Sequence, residues 1–154
     1  MDAISLLKDD HQTVRKLLKE LDDTTNRAEK TRPELLATIA MELRVHSAIE
    51  EEIFYPAFKA AGDKADDGKM YFEALEEHRA AGDLVLPDLL ATDVTSDQFS
   101  GRAKVLMEMI QHHAGEEEKE MFPRARELLS NEELVALGDQ MLQRKTELLA
   151  MYQA

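Results

Sequence analysis

Apolar residues recur every three or four positions along most of this chain, with polar residues between them. Ile4, Leu7, Val14, Leu17, Leu18 and Leu21 form one such stripe, which predicts a helix from Ala3 to about Asp23 with His11 on the same face. Thr24 to Lys30 is polar and breaks the pattern. Thr31-Arg32-Pro33-Glu34 combines a capping box with a proline in the first turn and predicts the next helix start. That stripe runs through Leu35, Leu36, Ile39, Leu43, His46, Ile49, Glu50 and Ile53 toward Ala61, and Gly62 to Lys69 reads as a surface loop. A third helix is expected from near Asp67, with Tyr71, Ala74, Leu75, His78 and Val85 on one side and Pro87 bending or stopping it. Thr95-Ser96-Asp97-Gln98 caps a fourth, through Phe99, Val105, Leu106, Met109, His113, Glu117 and Met121. Ser130-Asn131-Glu132-Glu133 caps a fifth, roughly from Glu132 to Met151.

Helices of about 20–30 residues with short connections predict an all-α, up-down-up-down four-helix bundle over about residues 1–129. An additional C-terminal helix, about 131–152, would pack alongside, and with no linker-like segment residues 1–154 read as a single domain. The composition agrees: 44% hydrophobic, 33% charged and only 5% aromatic residues argue against a sheet protein. The chain has no cysteine, which excludes disulfides, thiolate metal sites and cysteine catalysis. No apolar run approaches the roughly 20 residues that span a bilayer, and Met1-Asp2-Ala3 lacks a basic leader, so a cytoplasmic location off the membrane is expected. The net charge of −13 argues against nucleic acid and anionic membranes as partners.

One stretch occurs twice. His46-Ser47-Ala48-Ile49-Glu50 leads to Tyr55-Pro56, and His113-Ala114-Gly115-Glu116-Glu117 leads to Phe122-Pro123. Each copy has His, Glu four residues on, then an aromatic, then Pro ten residues after the His. The two copies lie 67 positions apart, and the same offset links His11 to His78. Residues four apart share a helix face, so His46 with Glu50 and His113 with Glu117 are two-ligand clips pointing into the bundle. His11 and His78 add an imidazole from each of the other helices. Burying two carboxylates and four imidazoles without a partner would cost several kcal/mol per charge, which points to a bound cation. Imidazole and carboxylate without sulfur suit iron, manganese or zinc.

These motifs resemble the hemerythrin-like, or HHE cation-binding, family over nearly the whole chain. The His-x-x-x-Glu-Glu…Pro pattern stands in the second helix and again in the fourth, and the lone histidines fall in Asp10-His11 and Glu77-His78. Glu132-Glu133-Leu134…Leu137-Gly138 is similar to the short hemerythrin-like proteins of actinobacteria. The resemblance implies a non-haem di-iron centre, oxo- or hydroxo-bridged, with His11, His46, His78 and His113 as terminal ligands and Glu50 and Glu117 bridging. Manganese and zinc suit the same donors. Oxygen-carrying members place a second histidine four residues before the one at His78; here that position is Ala74. The resemblance then implies open positions on both ions and chemistry with a small ligand, H2O2 or NO, in preference to reversible O2 carriage. Peroxide decomposition of catalase type, or a related defence against oxidative or nitrosative stress, is the function expected; the alternative is reversible O2 or NO binding or sensing without turnover. Tyr71 is expected to fill the gap left at Ala74, Glu42 to hold an imidazole N–H of His46, and Phe54 to form an apolar wall. Glu51, Glu52, Glu116, Glu118 and Glu120 read as solvated charges, and His112 as a surface residue.

Overall fold

In a computed structural model of the protein, residues 1–153 are described, and among them the only regular elements are helices. Five long helices follow one another. α1 spans Ala3–Asp22. α2 covers 31–61, as Thr31–Ile49, a widened π turn Glu50–Phe54, and Tyr55–Ala61. α3 covers 65–90, as Ala65–His78, a π stretch Arg79–Val85, and Leu86–Leu90. α4 covers 97–128, as Asp97–Glu116, a π turn Glu117–Met121, and Phe122–Leu128. α5 is Asn131–Gln153. The first four form the expected bundle and α5 packs on α1 and α2. No helix among the described residues is long and apolar enough to cross a membrane.

The three prolines inside the bundle helices do not stop them. Pro56, Pro87 and Pro123 neither end nor break their helices, because each follows a π turn by two residues. Proline lacks an N–H and its ring clashes with the carbonyl four residues back. Widening the turn by one residue relieves that clash. The residue before each proline then bonds five residues back: Tyr55 N–H to Glu50, Leu86 N–H to Ala81, and Phe122 N–H to Glu117.

Capping held at the two starts expected for α4 and α5, and α1 has a further cap at Asp2. The Asp2 carboxylate accepts from Ser5 N–H at 2.8 Å and the Ser96 hydroxyl from Phe99 N–H at 3.2 Å. Ser130 and Glu133 form a reciprocal box, with 3.1 and 3.0 Å bonds. At α2 the expected box is absent: Thr31 is already the first helical residue, and Lys30 precedes it without a side-chain cap. Arg32 anchors this start instead. It is 1% exposed, donates to Thr24, Val94 and Ser100, and lies over the Phe99 ring. One guanidinium thereby joins the loop before α2 to the loop before α4.

The core has two apolar blocks. One holds Ile4, Leu7, Ile49, Phe54, Phe58, Met121 and Phe122, and α5 adds Leu134 and Met141. The other holds Val14, Leu18, Ile39, Leu43, Leu86, Phe99 and Leu106. On every bundle helix the histidine falls between residues of the two blocks, so a polar layer crosses an apolar interior. α5 closes one side through Gly138, where a Cβ would run into the backbone of Met1, Asp2 and Ala3.

α3 starts at Ala65, two residues before Asp67, and Asp67 is its anchor. Its carboxylate accepts from Asp63 and Lys64 N–H at 3.0 Å each, and from Arg124 of α4 at 2.8 Å. The hydrogen bonds from Arg124 hold its carboxyl well below the ordinary 3.8 against the opposing effect of burial, with help from the two backbone N–H groups.

Gly138→Ala is expected to lower stability by about 1–3 kcal/mol through overpacking, read from the denaturant midpoint. A carboxyl with a depressed folded pKa contributes stability above its unfolded value and loses it as pH falls. Asp67→Asn is therefore expected to lower the Tm at neutral pH, with the gap to wild type closing as pH drops below 3.8.

Candidate metal centre

Each bundle helix carries one histidine into the polar layer. His11, His46 and His113 are 4%, 7% and 6% exposed, and Glu50 and Glu117 are essentially buried. The His78 side chain is buried to a similar degree. The structure thus brings together all six residues singled out by spacing. They form two groups of possible ligand atoms, His11, His46, Glu50 and Glu117 in one, and Glu50, His78 and His113 in the other. Glu50 belongs to both. Glu117 also reaches across, with one oxygen 3.0 Å from His11 Nε2 and 3.4 Å from His113 Nε2.

The geometry fits a cation. Within each group the ligand atoms lie within 4.8 Å of one another, as expected for donors each about 2.1 Å from a common ion. Glu50 Oε1 sits 3.0 Å from His46 Nε2 and 3.1 Å from His78 Nε2. Yet His46 Nε2 and both Glu50 oxygens are buried without a hydrogen-bond partner. Such crowding of unbonded donor atoms is costly unless positive charge lies among them. The electrostatics agree. Burial and the charge of Glu50 raise the Glu117 carboxyl above its usual range. Burial opposes charging of His78, but the nearby carboxylates of Glu50 and Glu51 outweigh it and push the imidazole up to about 9. Without a metal the site draws in protons; a metal takes their place.

Every imidazole is held from behind by a carboxylate. His11 Nδ1 meets Glu118 at 2.7 Å, His46 Nδ1 meets Asp10 at 2.9 Å, His78 Nδ1 meets Glu51 at 3.1 Å, and His113 Nδ1 meets Glu77 at 2.8 Å. All four bonds run between different helices. Each fixes a tautomer that leaves Nε2 free to face inward and makes it more basic. Three expectations change here. Asp10, rather than Glu42, holds His46, while Glu42 lies half-buried outside this network. Glu118, partly buried, is an anchor for an imidazole rather than a solvated charge, and Glu51 anchors His78 while remaining exposed. A signal was present in the sequence, since Asp10 and Glu77, and Glu51 and Glu118, are separated by the same 67 residues as the histidines.

The gap at Ala74 is served by Tyr55 and not by Tyr71. The Tyr55 hydroxyl donates to Glu117 Oε2 at 2.7 Å and lies 3.1 Å from His78 Nε2 and 3.2 Å from His113 Nε2. Burial, reinforced by the charges of Glu50 and Glu117, pushes its phenol well above the ordinary value. Tyr71 packs edge-on against the Tyr55 ring, 6.4 Å between centroids. The reason is the π turn. Counted along an α-helix, the residue below Glu50 is Phe54; in the widened turn Tyr55, five residues on, takes that place. Phe54 is an apolar wall as expected, buried against Phe122. His112 is exposed beside Glu116, 3.1 Å away, as expected of a surface residue.

The two halves are not identical. The 67-residue mate of Tyr55 is Phe122, which stacks on His11 at 5.7 Å. Asp10 receives Lys145 of α5 at 2.5 Å and Glu118 receives Arg15 at 2.8 Å, whereas their mates Glu77 and Glu51 pair only with histidines among the described residues.

A helical bundle with a buried layer of His and Glu donors is a cation-binding protein in architecture. The profile of the Hemerythrin HHE cation binding domain matches residues 2–125, and the chain belongs to that family. It is 30% identical over 149 residues to the uncharacterized proteins Rv2633c of Mycobacterium tuberculosis and Mb2666c of Mycobacterium bovis, covering 96% of this chain and 88% of each relative. The crystal structure of a hemerythrin HHE cation binding domain-containing protein of Mycobacterium kansasii, an Rv2633c homolog, superposes with a TM-score of 0.84 at 28% identity. That likeness covers 99% of this chain and 91% of the other, and so extends over α5.

Asp10→Ala is expected to weaken metal binding about 10- to 100-fold in a competitive chelator titration, while Glu42→Ala leaves it unchanged.

Proposed function

We propose that this protein holds two metal ions, iron being the best match, and decomposes peroxide, serving in defence against oxidative or nitrosative stress. The observation that carries this reading is two ligand groups sharing Glu50 beside a cavity of about 30 Å³. That volume admits about two water-sized molecules, which suits H2O2, O2 or NO. Four imidazoles and two carboxylates, without sulfur, match iron, with manganese and zinc compatible. His11, His46, Glu50 and Glu117 would hold one ion, and His78 and His113 with Glu50 the other, Tyr55 lying close enough to join them. Two such ions supply reversible electron exchange, which the side chains of this protein cannot provide.

The chain's own residues account for the rest. The carboxylates behind the four imidazoles keep each Nε2 pointing inward through a change of charge at the centre. Val14, Leu43, Ala81 and Ile110 wall the cavity with apolar surface and limit its water. Tyr55 holds a proton at its oxygen, shared with Glu117, where a reaction that consumes and releases protons needs one. Reversible binding of O2 or NO is the second reading, favoured by the same apolar walls, which suit an uncharged gas.

Iron-loaded protein is expected to contain two ions per chain and to release O2 when peroxide is added. Tyr55→Phe should slow that release by at least about tenfold with iron content unchanged. A reversible colour change on aeration without peroxide turnover would establish the second reading instead.

A further inference from the structure

Granted the small-molecule chemistry proposed above, the geometry points to the route by which substrate reaches the centre: between α2 and α3, through a gap left open by Gly82. The cavity beside the centre is walled by residues that the 67-residue offset relates, the four histidines together with Val14 and Ala81, Leu43 and Ile110, and Ser47 and Ala114. A duplicated wall offers two equivalent places to open, one along α1 and one along α3. The two sides differ in size. Val14 on α1 is matched by the smaller Ala81 on α3, and Arg15 is matched by Gly82. Arg15 lays its guanidinium over Glu118, whereas Gly82 lines the cavity and has no side chain to extend.

Outside this wall lies a surface groove of about 500 Å³ between α2 and α3. Leu43, Ser47, His78 and Gly82 border both the groove and the cavity, so only these residues separate solvent from the centre on this side. A Cβ at Gly82 would meet nothing within 4 Å, so a side chain there has room beside the groove and the cavity without disturbing the helix packing. His11, His46, His78 and His113, all candidate ligands, line the same cavity, so the cavity reaches the centre. Glycine inside a helix weakens it relative to alanine, and the open gap is what this one provides in return. The apolar walls select for uncharged molecules.

The test mixes iron-loaded, full-length protein with nitric oxide in a stopped-flow instrument and reads the association rate from the absorption change. Gly82→Leu is expected to slow association about tenfold or more, since entry must then wait for the helices to part, and Gly82→Ala is expected to slow it less. Iron content and the final spectrum should match wild type with Tm equal or higher, and Gly101→Leu, on an exposed face of α4 with equal room for a side chain, should associate at the wild-type rate. Association of Gly82→Leu at the wild-type rate would overturn the route. If wild type gives no absorption change with nitric oxide or peroxide, the proposed chemistry fails, and xenon NMR on the zinc-loaded protein then judges the route alone. Slower xenon exchange in Gly82→Leu upholds the gap, and unchanged exchange refutes it.

Discussion

The bond between a histidine Nδ1 and a carboxylate on a neighbouring helix is the contact on which the rest of this structure depends. It occurs four times and always crosses between helices. A buried imidazole needs a partner for its N–H, and a charged partner makes that bond stronger and shorter. Here the same bond sets the direction of Nε2, ties each helix to its neighbour at the level of the centre, and raises the basicity of the inward nitrogen. Removing the apolar blocks above and below would leave these bonds exposed to water and weak; removing the bonds would leave four imidazoles free to turn away.

The inward donors create a demand that the protein alone does not meet. Glu50 lies fully buried with both oxygens unbonded, against imidazoles that are drawn toward protonation. Cations placed among these donors would meet that demand, and binding to the folded layer alone would link binding to folding. α5 contributes to that link. Its Lys145 neutralises Asp10, which in turn holds His46, so a helix outside the bundle acts on one side of the centre only.

Duplication explains the plan of the molecule, and departures from it explain the chemistry. The repeat supplies matched ligands and matched anchors 67 residues apart. Tyr55 faces His78 and His113 with a hydroxyl where its mate Phe122 faces His11 with a bare ring. Arg15 covers one side where Gly82 leaves the other open. Two equal halves would give two equal surroundings; small substitutions at paired sites make them distinct.

Local periodicity was sufficient to determine five helices, their order, and the inward face that carries His11, His46, Glu50, His78, His113 and Glu117. Apolar spacing and i, i+4 pairing are properties of a single helix, so they can be read from one segment at a time. Tertiary structure alone decided which carboxylate serves which imidazole, because those pairs meet across helices and Asp10 is closer in sequence to His11 than to His46. It also decided that Tyr55, and neither Phe54 nor Tyr71, reaches the centre. An α-helical count assumes 3.6 residues per turn, and each proline before which the helix widens shifts that count by one residue. The start of α2 turned on the same kind of distant contact, with Arg32 satisfied by Val94 and Ser100 in place of the local cap that Thr31 and Glu34 suggested.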